Sequence, residues 1–136
     1  MGCDIHAFFE IKLNGKWYLY DQPNLERNYS LFGKMAGVRN GGIQPISPPK
    51  DLPKNLSKVV ELEYKNWKRD AHSMSWLNAE EIKEVIEWHK KFTDDYLVEH
   101  KQWGYLFGNG WPEFNEYRES YPSEIEDIRL VFWFDN

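Results

Sequence analysis

From Cys3 to Leu13 the side chains alternate with the period of a β-strand. Ile5, Ala7, Phe9, Ile11 and Leu13 fall on one face, and Asp4, His6, Phe8, Glu10 and Lys12 on the other. Asn14-Gly15 follows at once, a pair that accepts the positive φ angles of a tight hairpin turn, and Lys16 to Tyr20 returns as a second strand. A hairpin this well marked commits the fold to an antiparallel sheet. At the other end, Ile128, Leu130, Phe132 and Phe134 alternate with Arg129, Val131, Trp133 and Asp135. Both faces of that run are largely apolar in the middle, so it belongs inside the sheet or beneath a helix.

Helical signals lie between these ends. Ser57 stands where it can cap a helix running to about Lys68, with Val60, Tyr64 and Trp67 at helical spacing. Asn78 followed by Glu81 has the form of a capping box, opening a helix through Ile82, Val85, Ile86 and His89 that reaches about Phe92 or beyond. A shorter helical piece from Leu31 to Ala36 stops at Gly37. The expectation is one α+β domain over residues 1–136, with a mainly antiparallel sheet and the helices from Ser57 and Asn78 packed on one face. Residues 38–53, with Asn40-Gly41-Gly42 and four prolines, read as a long ordered loop, and 107–121 as an irregular excursion able to act as a flap.

Composition narrows the partners. A net charge of −5 with no segregated basic stripe disfavours polymeric DNA or RNA, while leaving room for a small anion held by a few arginines. The single cysteine, Cys3, forbids an intrachain disulfide, and neither a signal-type run nor a membrane-length apolar stretch is visible, so a cytoplasmic protein is expected. Met1-Gly2-Cys3 is not followed by the Ser or Thr that a myristoylation signal wants. Cys3 has no Cys-x-x-Cys partner, so zinc ranks below metal-free chemistry, although two histidines with their carboxylates could also surround a metal ion; no metal and no cofactor is expected.

Two segments share the spacing Asp-x-His: Asp4-Ile5-His6 and Asp70-Ala71-His72. In extended chain each carboxylate lies on the face of its histidine and can fix the ring's tautomer, and two histidines brought together can serve as base and acid in phosphoryl transfer. The alternative for His6 is a buried structural histidine. If the run beyond His72 stays extended, Ser73 and Ser75 share one side, able to donate to phosphate or to satisfy loop backbone, and His72, Met74 and Trp76 share the other. Arg27 and Arg39 flank the short helix, placed either to fork an anion or to pair with surface carboxylates, and Asn40 opens a glycine turn that can offer backbone N–H groups. Trp17, Trp76, Trp103, Trp111 and Trp133 are core candidates, of which one or two could stack a base. His89 and His100 read as surface residues.

Four stretches carry a resemblance. Met1-Gly2-Cys3-Asp4-Ile5-His6, Arg39-Asn40-Gly41 with Pro45-Ile46-Ser47, the run from Asp70 to Leu77, and the closing Arg129 to Asn136 together resemble a family of small hypothetical proteins from tailed phages and prophages. Lys91 to Ile128 stay outside the match. The resemblance implies a host-takeover or counter-defence role, a setting in which small proteins sequester or hydrolyse nucleotide immune signals.

These strands and motifs give one expected site. If the closing strand pairs antiparallel with the first, Asp135 and Asn136 arrive beside Asp4 and His6. The expected ligand is a small phosphate-bearing nucleotide. His6 and His72 would be acid and base, Asp4 and Asp70 would orient them, and Arg27, Arg39, Asn40, Ser73, Ser75, Trp76 and Asp135 would bind. A non-catalytic sequestering protein, in a homo-oligomer whose pocket lies between subunits, would use the same residues. A protein inhibitor acting through an aromatic surface around Trp111 would use neither histidine.

Overall fold

The computed structural model describes residues 2–99 and 125–136. In chain order its elements are β1 (Asp4–Leu13), β2 (Lys16–Asp21), α1 (Tyr29–Ala36), α2 (Lys58–Trp67), β3 (His72–Asn78), α3 (Ala79–Glu99) and β4 (Asp127–Asp135). The four strands form one antiparallel sheet in the order β2-β1-β4-β3, so the fold is α+β with an N-terminal hairpin and a C-terminal strand. β4 is central for the reason its sequence announces: from Ile128 to Phe134 no residue is more than 4% exposed, so both faces must be covered.

The helices cover both faces of the sheet, where one face was expected. Ala7, Phe9 and Ile11 pair with Phe132, Leu130 and Ile128 and join the larger core, to which α1 contributes Leu31, Phe32 and Met35 and α3 contributes Ile82, Val85 and Ile86. On the opposite face Phe8, Val131 and Trp133 pack under α2 through Val60, Tyr64 and Trp67. The physical reason lies in β1 and β4, whose alternate residues are apolar on both sides; a one-layer arrangement would leave Phe8 and Trp133 in water.

Local chemistry sets the helix ends. Asn28 accepts a bond from the Leu31 N–H at 3.2 Å, and Gly37, at φ 74°, donates its N–H to the Gly33 carbonyl at 2.8 Å. The Asn78–Glu81 box forms in both directions, at 2.9 and 3.0 Å. Ser57 occupies the cap position of α2, but its hydroxyl makes no cap bond; instead its N–H donates to Glu10 Oε2 at 2.8 Å. The long loop is pinned along the outer edge of β3, where Asp51 N–H donates to the Met74 carbonyl and Lys50 N–H to Ser75 Oγ, each at 2.9 Å. The first of those bonds occupies a backbone acceptor on the strand edge.

One irregularity governs the site. His72 pairs with Phe134 and Ser75 with Phe132, so three steps along β3 face two along β4. The extra residue is a β-bulge, and Ser73 takes a positive φ of 54° within it. The expected flap at 107–121, with Trp103, Trp111 and His100, lies outside the described residues.

Candidate functional site

The antiparallel pairing of β1 and β4 brings the ends of the chain together as expected. Asp4 pairs with Asp135, and His6 with Trp133. His6 Nε2–H donates to Asp135 Oδ2 at 2.5 Å, and the ring lies 4.1 Å, centroid to centroid, from Trp67 of α2. The expected partner was Asp4, but Asp4 is taken by Arg27, whose Nε and Nη2 fork its two oxygens at 2.6 and 3.2 Å. The guanidinium holds the Asp4 carboxyl below its ordinary range, first through that hydrogen bond. Asp135, expected to bind ligand, orients His6.

His72 does not join them. Its ring stacks on Phe134 at 6.0 Å, on the face of α1 and α3, while His6 stacks on Trp67 and Trp133 on the face of α2. The bulge at Ser73 is the cause. In a regular strand His72 would share a face with Met74 and Trp76; one inserted residue moves it to the other side of the sheet. Its Nε2–H donates to Asn136 Oδ1 at 3.1 Å, and Nδ1 accepts from the Ser73 hydroxyl at 3.0 Å. Asp70, exposed in the turn after α2, plays no part in orienting it. The paired acid and base of the sequence reading are therefore split by the sheet.

The other expected binding residues are also dispersed. The Arg39 guanidinium lies 5.4 Å over the Tyr29 ring and weighs on Cys3, on the α1 side. Asn40 is a turn residue: its Oδ1 accepts from Gly42 N–H at 3.3 Å, and its backbone sits so close to Gly33 that an added Cβ would meet its Cα at 2.8 Å. Ser75 is fully buried, with its hydroxyl spent on the loop. Trp76 alone of that run reaches a cleft.

That cleft, of about 600 Å³, lies on the α2 face at the far end of the sheet from His6. Its floor carries Lys12, Asp127, Arg129 and Asn78, and its walls Trp17 of β2, Trp76 of β3 and the Leu52 to Asn55 segment. Beneath it is a buried charged pair: Arg129 Nε–H donates to Glu10 Oε1 at 2.7 Å, with the side chains 5% and 0% exposed. The remaining reach of Arg129 goes to Asn55, through Nη1 to Oδ1 at 2.9 Å and Nη2 to the carbonyl at 3.2 Å, and its guanidinium lies 3.9 Å from the Trp17 ring centroid. Burial pulls the Arg129 guanidinium down from its ordinary range, and Glu10 opposes that. One buried carboxylate thus ties β4, the loop and the start of α2 together.

Sequence reasoning passed over this pair, although a signal existed. Glu10 and Arg129 are the charged residues inside two otherwise apolar stretches, and antiparallel pairing of those strands sets them opposite one another. Among the described residues no group of three or more His, Cys, Asp or Glu side chains is placed to hold a metal ion. No described helix is long and apolar enough to cross a membrane. In comparisons with known proteins, no family model, no curated protein and no solved structure matches the chain.

Proposed function

We propose that this protein is a non-catalytic binder that seats a small phosphate-bearing nucleotide in the cleft over Arg129. The observation that carries the reading is the lining: two indole rings, the carboxamides of Asn55 and Asn78, and three cations, of which Arg129 is paired with the buried Glu10 beneath and the two lysines face the single lining carboxylate of Asp127, converge on one concavity. Flat π faces take a base, the ammonium groups of Lys12 and Lys54 take phosphate, and the Nδ2 groups of the two carboxamides, whose oxygens are already bonded, donate to the base edge. Arg129 serves as a fixed positive floor, because its hydrogen bonds are already committed. The overall charge of −5 does not oppose this, since the local excess of cations dominates at contact range.

Binding is favoured over hydrolysis because the two imidazoles that would pass a proton lie on opposite faces of the sheet. A sequestering role also fits the phage counter-defence setting that the sequence resemblance implies. Calorimetric titration of the pure protein with nucleoside monophosphates tests the reading. We expect saturable binding, recovery of the nucleotide unchanged after heat denaturation, loss of affinity in Lys12→Glu/Lys54→Glu, and retention in His6→Ala. Chemical conversion of the nucleotide, or a loss that follows His6 and spares the lysines, would overturn it.

A further inference from the structure

The two indoles of the cleft are carried by strands far apart in the sheet, and that limits what can fill it. Trp17 is on β2 and Trp76 on β3, the two edge strands of the order β2-β1-β4-β3. Three inter-strand spacings separate those strands, about 14 Å. Their register adds a second offset. Trp17 pairs with Lys12 and through it with Asp127, whereas Trp76 pairs with Val131, four residues further along β4 and so roughly 13 Å along the strand. Two indoles carried that far apart are more readily spanned by two bases than by one.

Each ring is also fixed in place. The Arg129 guanidinium lies 3.9 Å from the centroid of Trp17, and Lys50 Nζ lies 4.2 Å from that of Trp76. Arg129 is held by Glu10 and Asn55, and Lys50 is paired with Glu81, so each ring rests against a cation that has a partner of its own. The rest of the charged lining is mainly cationic, Lys12, Lys54 and Arg129 against Asp127.

From aromatic, cationic and again aromatic surface in one concavity, we infer that the ligand is a dinucleotide: two bases joined through phosphate, one base on Trp17, the other on Trp76, and the bridging phosphate at the lysines. The inference rests on the nucleotide-binding reading above and adds to it the number and placement of the bases.

Titration of the wild-type protein with adenosine 5′-monophosphate and with adenylyl-(3′→5′)-adenosine separates the two. The dinucleotide carries less charge per base, so electrostatics alone would favour the monophosphate. We expect the dinucleotide to bind at least tenfold more tightly. Trp17→Ala and Trp76→Ala should each weaken the dinucleotide by about five- to a hundredfold, the range of one base–aromatic stack, and Trp→Phe at either position should restore most of the loss. Equal affinity for the two probes, with Lys12→Glu/Lys54→Glu abolishing both, would overturn the two-base inference and leave nucleotide binding standing. No binding of either probe would overturn both. The wild-type comparison decides the matter even if an indole variant fails to fold.

Discussion

Glu10 and Arg129 carry a large share of the consequence that single side chains have in this protein. The pair is buried beneath the cleft, and each partner has further hydrogen bonds, to the Ser57 N–H and to Asn55. Removing one partner strands a charge, whereas removing both leaves a gap without a charge. Arg129→Met should therefore lower stability by about 3–5 kcal/mol, and the double variant Glu10→Gln/Arg129→Met by clearly less, as read from urea unfolding midpoints. A second residue-scale prediction concerns His89. It was expected at the surface, yet it is 7% exposed and accepts a hydrogen bond at Nε2 from Asn28 Nδ2 at 2.9 Å. The amide is oriented by its own oxygen, which accepts from Leu31 N–H and the Ser30 hydroxyl, so a protonated His89 would set donor against donor. Burial holds the His89 pKa below its ordinary value. The unfolded chain therefore binds the proton more readily, and stability should be full above the ordinary histidine pKa of about 6.5 and fall as the pH drops below it. His89→Gln should flatten unfolding free energy between pH 7 and 5; an unchanged slope would show that His89 is not its source. The Asp4 shift acts in the other window, below the ordinary carboxylate pKa, and does not overlap.

At the scale of elements, the two helix starts that look alike in sequence behave differently. Asn78 makes a reciprocal box with Glu81, while Ser57 leaves its hydroxyl unused and delegates the helix start to Glu10. Asn78→Ala should cost about 1 kcal/mol and Ser57→Ala no more than a few tenths, measured side by side by chemical denaturation. The comparison explains what was legible here. A capping box is written in residues three apart, so Asn78 and Glu81 announce it. The support of α2 comes from a carboxylate 47 residues away, which no local window contains. The bulge in β3 is of the second kind: Ser73 carries no glycine signal, and the pairing that forces its positive φ comes from β4.

For the molecule as a whole, the charge distribution matters more than the charge. Lys12 of β1 and Lys54 of the loop before α2 line the same cleft, inside a chain that is net negative. Nucleotide affinity should therefore fall severalfold as salt rises from about 0.05 to 0.5 M, because the Debye length shrinks to a few ångströms over that range. Titration in the charge-neutralised Lys12→Gln/Lys54→Gln background should show a much weaker dependence.

The sequence by itself determined the hairpin, the central place of the last strand and the start of α3, since each is set by period, turn chemistry or caps within a few residues of itself. Only the tertiary structure decided which face each functional side chain would take. A strand's faces alternate with period two, so one inserted residue at Ser73 was enough to part His72 from His6, and pairing between distant strands was needed to set Glu10 against Arg129 beneath a cleft.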